Sequence, residues 1–439
     1  MQFSQRHPRA RTRRADGLTI RRSCFESLDS RCMLAGVTFG PQQIVDDLDA
    51  DGANRVAVGD LDGDGDLDAV VVSYRDNRVS WYEQQAGDQY SRHPIDENAG
   101  EPRDVVLADI DGDQDLDIVV AAYFDDSVIW YENQQGSFAA PRTITPQANG
   151  VRSLAAIDLD QDGDIDIVSA SWFDHKVAWY ANDGQGNFGN QIVISSSFTG
   201  PRGVQVGDVN ADGKPDVVVA AKTANKLVWF PNVGGGNFSS GHEISAAGKG
   251  PESIALGDLD GDGDLDLVAG FGTDTTVSWF VNSDGQGNFG PQQDVSTGAD
   301  QVRSVALADI DGDDDLDILS GSYNYLDSSV VWHPNTDGQG TFGAGQIISR
   351  DAVGVNHVLP TDMNGDGHVD VITASVLSSR VSLFLNGGQA AFGTPVEILS
   401  DASGTASTSL ADVDGDGDED LVVASYWDNK ITWYENLDG

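Results

Sequence analysis

An acidic nonamer, written eight times, limits what this chain can fold into more than any other feature. The copies read DLDGDGDLD from Asp60, DIDGDQDLD from Asp109, DLDQDGDID from Asp158, DVNADGKPD from Asp208, DLDGDGDLD from Asp258, DIDGDDDLD from Asp309, DMNGDGHVD from Asp362 and DVDGDGDED from Asp412. Successive copies start 49 to 53 residues apart. A fixed period of this length with strand-like content marks a propeller or a solenoid, in which each repeat buries its faces against its neighbours.

Every repeat has four parts. A short alternating strand, such as Val56 to Gly59, precedes the nonamer. A nearly continuous apolar run follows it: AVVVS at 69, IVVAA at 118, LVVAS at 421. Such runs read as strands buried on both faces. An aromatic strand comes third (VSWYE at 79, VIWYE at 128, ITWYE at 431), and a Gly/Asn turn with a Phe opens the fourth, as in NFGNQIVI ending at Ile194. Four strands joined by short turns make one propeller blade. The last repeat stops after its third strand. The segment VTFGPQQIV (Val37 to Val45) nearly copies the fourth-strand segment NFGPQQDV that ends at Val295. The expected fold is therefore all-β: an eight-bladed propeller of four-stranded blades, with the N-terminal strand completing the last blade. Closure removes the unpaired edges that invite aggregation, and a monomer is the expected state.

The spacing inside the nonamer explains its acidity. Oxygen ligands at positions 1, 3 and 5 of a tight loop can converge on one hard cation. Position 7 varies (Asp66, Asp115, Asp164, Lys214, Asp264, Asp315, His368, Asp418), so its side chain cannot be the ligand and its main-chain carbonyl must be. Position 1 is Asp60, Asp109, Asp158, Asp208, Asp258, Asp309, Asp362 or Asp412. Position 3 is Asp62, Asp111, Asp160, Asn210, Asp260, Asp311, Asn364 or Asp414, and Asn keeps the oxygen while dropping a charge. Position 5 is Asp64, Asp113, Asp162, Asp212, Asp262, Asp313, Asp366 or Asp416. Position 9 is Asp68, Asp117, Asp166, Asp216, Asp266, Asp317, Asp370 or Asp420. An all-oxygen set of this size favours Ca2+ over Mg2+ or Zn2+. Up to eight structural Ca2+ ions are expected, each tying the first strand of a blade to the second. An EF-hand would need Glu at position 12, where the first copy has Val71 inside a strand.

These D-x-D/N-x-D-x-x-x-D loops, the strand after them, the WYEN-like strand and the G-x-F turn resemble the FG-GAP/VCBS repeat family, the calcium-loop blades also seen in integrin α-subunit propellers. The resemblance spans residues 37 to 439 and implies calcium at each loop. It implies no activity, because fold does not give function.

Composition agrees with that reading. The formal charge is −46, and positions 1, 3, 5 and 9 of the loops hold 30 of the 71 acidic residues, so the charge is mostly a consequence of the loops. A field this negative argues against nucleic acid. No run of 18 apolar residues exists to span a membrane as a helix. The first 36 residues differ in kind: they carry Arg6, Arg9, Arg11, Arg13, Arg14, Arg21, Arg22 and Arg31 and both cysteines, Cys24 and Cys32. Their end, CFESLDSRCMLAG, resembles the short leader motif of large exported proteins of planctomycete-type bacteria. That resemblance implies secretion or cell-surface sorting. Residues 1–36 are thus expected to be a leader, disordered or removed, and 37–439 the propeller.

Ligand contacts are sought where repeats differ. The turn between second and third strands is aromatic and charged in blades 1, 2, 3 and 8 (SYRDN at 73, AYFDD at 122, SWFDH at 171, SYWDN at 425), which are neighbours in a closed ring. First strands start on the same face with Arg55, Arg103, Arg152, Arg202 and Arg303. Tyr74, Phe124, Trp172 and Trp427, with Arg55, Arg103 and Arg152, are therefore the candidate contacts for a glycan or protein ligand: rings to stack on sugars and arginines to bond hydroxyls. The bland alternative packs these rings between blades and pairs the arginines with local Asp. A catalytic alternative is a calcium-dependent polysaccharide lyase, since some similar-looking eight-bladed calcium propellers are lyases. Its base would come from scattered histidines, of which only His175 and His357 fall near the candidate face. No Ser-His-Asp spacing, phosphate loop or nucleophile elbow occurs, and no catalytic residue is assigned.

Overall fold

The computed structural model describes residues 43–46, 52–85, 89–245, 247–297, 301–324, 328–378, 380–393, 396–399, 404–427 and 429–437. The leader with its two cysteines, and residues 37–42 of the expected closing strand, lie outside them. The described strands form eight four-stranded antiparallel sheets, the blades of an eight-bladed propeller. Blade 2 shows the pattern: Pro102–Ala108, Asp117–Ala122, Ser127–Tyr131 and Arg142–Thr145 pair in chain order. Blade 8 is the exception. Its first three strands, Thr405–Ala411, Asp420–Ser425 and Lys430–Tyr434, are completed by Gln43–Asp46, which runs antiparallel to Lys430–Tyr434. The ring closes through the N-terminal strand.

The two-sided apolar run is the core of each blade. Asp117–Ala122 is buried at every position, and so are its counterparts in the other seven blades. Their side chains meet those of the next blade. Leu61, Val70, Val72 and Trp81 of blade 1 pack on Ile118, Val120 and Tyr131 of blade 2. Val413, Val422, Ala424 and Trp433 of blade 8 pack on Val56, Ala69 and Val71 of blade 1 in the same way. Fully burying such a side chain is worth about 1.5–3 kcal/mol, so the ring is held chiefly by contacts between blades.

The Gly-x-Phe turn does not open the fourth strand, as the sequence suggested; the strand starts later, at Ile192 in blade 3. The turn is instead a clamp on the preceding blade. Gly186 has φ +68°, and a Cβ there would lie 2.0 Å from the Trp130 ring, so only glycine fits. Phe188 then meets the edge of the same ring at a centroid distance of 6.3 Å.

A second link joins blades at the end of the third strand. Asn133 Nδ2 donates to the Leu61 carbonyl of blade 1 at 2.6 Å, and Asn182, Asn232, Asn282, Asn335, Asn386 and Asn436 reach back one blade in the same manner at 2.6 to 2.8 Å. The N of WYEN is thus a latch, and each latch grips the residue after position 1 of a neighbouring acidic loop. Blade 1 carries Gln84 at this place, and its Oε1 instead accepts from the Tyr90 hydroxyl at 3.2 Å.

Candidate functional site

The acidic loops lie at the far end of the first strands. In loop 1, Asp60 Oδ1 accepts from the Gly63 amide at 2.8 Å and Asp60 Oδ2 from Gly65 at 3.2 Å. Asp62 Oδ1 accepts from Asp64, and Asp64 Oδ1 from Asp66. Asp68 is buried, and its oxygens accept from Leu61 at 3.1 Å and Gln84 at 2.9 Å, stapling the loop to the third strand. Oxygens of Asp60, Asp62 and Asp68 come within 4.8 Å of one another, as do those of Asp109, Asp111 and Asp113, of Asp158, Asp160 and Asp166, of Asp258, Asp260 and Asp262, and of Asp309, Asp311 and Asp317.

The donor set suits a hard dication. Asp111 Oδ1, Asp260 Oδ1 and Asp311 Oδ1 are buried without a donor. Burial pushes the position-9 carboxyls up, to about 7 for Asp68, Asp117 and Asp370 and to about 6 for Asp166, Asp216, Asp266 and Asp420. Burial, with Asp317 and Asp313 nearby, raises Asp311 to about 6. A bound dication would reverse this penalty. The position-7 side chain of loop 2 turns away from its loop: Asp115 Oδ2 accepts from the Gln135 amide of the outer turn at 3.0 Å. Loop 4 departs from the rest. Lys214 Nζ sits 2.7 Å from Asp212 Oδ2, placing an ammonium on a candidate ligand oxygen.

At the other rim, the first strand of every blade carries a bulge one residue from its start. Bulges re-aim side chains. The bulged residues are Asn54, Arg103, Arg152, Arg202, Glu252, Arg303, Asn356 and Ala406. Arg55 is not among them. The register pairs it with Val72 as Asp104 pairs with Ala121, so Arg55 holds the place after the bulge and its Nε donates to Asp104 Oδ1 at 3.1 Å. Arg55 lines the same cavity as the other four arginines, from one register place beyond them. This rim encloses a cavity of about 1000 Å3 at the mouth of the central channel.

The arc of turns is continuous around this mouth. Trp427 meets Tyr426 edge-on at 6.0 Å, and Tyr426 stacks on Tyr74 across the closing seam at 4.9 Å. The Arg103 guanidinium lies 4.2 Å from the Tyr74 ring and 5.2 Å from Tyr123; Arg152 lies 5.3 Å from Tyr123 and 5.2 Å from Trp172. Rings and guanidiniums alternate through blades 8, 1, 2 and 3. Tyr74 and Trp172 are half-buried in this ladder, whereas Phe124, Phe173 and Trp427 stand 64%, 53% and 42% exposed. Of these, sequence reasoning missed Tyr123, Phe173 and Tyr426. The signal was present, since SYRDN, AYFDD and SYWDN all place Tyr at the second position. Glycines seat the exposed rings. Gly404 has φ +76°, and a Cβ there would come within 2.9 Å of Trp427.

Both histidines near this face have structural partners. His175 Nδ1 faces the Gly200 amide at 3.3 Å, as Asn225 Oδ1 faces Gly250 in the next blade. His357 lines the channel, 3.1 Å from Thr408 Oγ1; burial, aided by Arg55, pushes it down to about 4.

A repeat model described as FG-GAP-like matches residues 60–120, 109–169, 158–219, 208–269, 266–320 and 362–423. The chain belongs to the FG-GAP-like repeat family. No curated protein matches it in sequence. Among solved structures, this FG-GAP-like propeller is similar to an Agrocybe aegerita lectin that recognises non-reducing terminal N-acetylglucosamine (19% identity, TM-score 0.54, covering 88% of this chain and all of the lectin). It is also similar to the exotype rhamnogalacturonan lyase YesX (14%, TM-score 0.55, 88% and 72%). A third is the V. cholerae biofilm matrix protein Bap1 (13%, TM-score 0.54, 89% and 88%). At these identities the likeness concerns the fold.

Proposed function

We propose that this protein is an exported, calcium-stabilised binding module that recognises glycans at the channel mouth, on the rim opposite the acidic loops. The observation that carries the reading is the clustering of exposed rings. Trp427 lines the cavity, and Phe124 and Phe173 stand on the same arc, each against Tyr123, which meets the cavity-lining Arg103 and Arg152; the second strands behind them are wholly buried. Exposed large apolar rings that cluster beside a pocket are the usual mark of a contact surface. Aromatic faces stack on the C–H faces of sugars, and Asn54, Ser153, Ser253 and Asn356 at the mouth supply donors and acceptors for hydroxyls. In the acidic loops the position 1, 3, 5 and 9 carboxylates would hold the ion, which supplies neutralising charge. Its role is to fix the ring that presents the mouth.

The test is a glycan array with the full chain in calcium and in EGTA, repeated with Trp427→Ala. Retention of a defined set of glycans, weakened at least fivefold by Trp427→Ala, is the expected result. Equal retention by both proteins would remove the arc from the binding surface. Turnover of a polysaccharide by the purified chain would favour the lyase alternative.

A further inference from the structure

The cavity walls are charged in a way the fold does not need. Five arginines line it (Arg55, Arg103, Arg152, Arg202 and Arg303) against two carboxylates, Asp104 and Glu252. In a chain of net charge −46, such a reversal of sign is local and unexplained by the repeat. The partners are unevenly shared. Arg55 pairs with Asp104, and Arg103 with Glu101 at 3.0 Å. Arg202 and Lys222 both pair with Glu252, so one carboxylate serves two cations. Arg303 faces the Tyr323 ring at 3.6 Å and donates to Asn356 Oδ1, both uncharged. Arg152 lines the cavity with aromatic rings on two sides and has no carboxylate partner among the described residues.

A guanidinium packed between rings at a cavity wall, with no carboxylate set against it, is suited to an anion arriving from the cavity. Burial disfavours the protonated form of Arg152, and the nearby charges of Arg202 and Arg103 add to that, a penalty that a bound anion would relieve. The acidic loops do not cancel this field. They sit at the other end of a seven-residue strand, roughly 20 Å away and beyond the ~8 Å screening length at physiological salt.

Resting on the glycan reading above, we infer that the mouth selects acidic glycans: Arg152, flanked by Arg103 and Arg202, takes a sugar carboxylate or ester sulfate, while Trp172 and Phe173 meet the ring that carries it. The cavity is large enough for a few sugar units.

The experiment is titration calorimetry on the full chain in calcium with three probes. These are an oligogalacturonate, its carboxyl-reduced neutral counterpart and a sulfated galactan oligosaccharide. The acidic probes should bind at least tenfold more tightly than the neutral one; binding by only one of them identifies the anion and still supports the inference. Arg152→Gln should weaken the acidic probe about thirtyfold or more, the usual consequence of truncating a hydrogen-bonded charge pair. It should weaken the neutral probe far less, and Arg152→Lys should restore part of the loss. Neutral and acidic probes binding alike, or Arg152→Gln binding the acidic probe as the native chain does, would overturn the inference and leave glycan binding standing. The wild-type comparison decides the matter even if the variant folds poorly. Failure of every glycan on the array, neutral or acidic, would overturn both readings.

Discussion

The two rims of the ring are built from the same first strands, yet they differ in how strictly the sequence repeats. At the loop rim, positions 1, 5 and 9 are Asp in all eight blades. At the mouth rim, the backbone bulge recurs in all eight blades, but the residue on it is Asn, Arg, Glu or Ala. One rim keeps its side chains and the other keeps only its backbone. Side chains repeated eightfold serve a task every blade shares, which is to hold its own loop. Side chains that change from blade to blade on a fixed backbone are free to serve one asymmetric ligand.

Removing metal should separate the rims most sharply. In the family reading each loop binds an ion only in the folded state, and a ligand at 100 times its dissociation constant contributes about 2.7 kcal/mol per site. Thermal melting in EGTA should therefore fall far below that in calcium, by tens of degrees, with magnesium giving little protection. Coincident midpoints in all three buffers would end the calcium reading. The effect should depend on pH. Burial raises the position-9 carboxyls to about 6 or 7, above their unfolded values. In the metal-free protein their contribution is most favourable below the unfolded carboxylate range near 4. It is lost as pH rises through the folded values. The calcium-dependent shift in midpoint should thus be small at pH 5 and large at pH 8; a shift larger at pH 5 would contradict this assignment.

Next in size is the seam between blades 8 and 1. Seven junctions carry an asparagine latch, and the seam has Gln84 with the N-terminal strand instead. Deleting residues 37–46 should expose the edge of Lys430–Tyr434 and drive aggregation, read by light scattering after gel filtration. A monomeric deletion variant with native melting would show that the side-chain cluster across the seam suffices. Within the ring, Asn232→Ala removes donors to the Leu159 and Pro215 carbonyls and an acceptor for the Gly234 amide. Leaving such buried groups unmet should cost about 3 kcal/mol. Gln84→Ala, with no such reach across blades, should cost less than half as much in parallel denaturant titrations.

Most of the fold was legible because it is written eight times: the period, the two-sided apolar runs and the split last blade each follow from one physical requirement. The convergence of the loop carboxylates was legible for the same reason. The latch was not read, although WYEN was seen, because nothing in a sequence says that an Asn side chain reaches 72 to 76 positions back. Likewise, Gly-x-Phe looked like the start of a strand, because its partner Trp130 belongs to another blade. That Arg55 stands one place beyond the bulge occupied by the other four arginines was not legible, because a bulge shifts register without any residue to announce it. Contacts within a repeat show as pattern, whereas contacts between repeats show only in three dimensions.

The smallest expected effect on stability is also the most direct test of the contrast between rims. Trp179 and Trp427 are the same residue type in different settings. Trp179 is 2% exposed, clamped by Gly236 of the next blade, whereas Trp427 is 42% exposed over Gly404. Trp179→Ala should cost about 3–5 kcal/mol, the range for emptying a core site. Trp427→Ala and Phe124→Ala should stay within about 0.5 kcal/mol of the native chain, as surface changes do. Trp172, half-buried beside Arg152, should fall between them. If Trp427→Ala instead destabilises like Trp179→Ala, the arc is part of the frame that holds blade 8 to blade 1, and its exposed rings need no ligand to explain them. If stability holds while glycan retention falls, the variable rim is the working face, and the eightfold rim exists to keep it in shape.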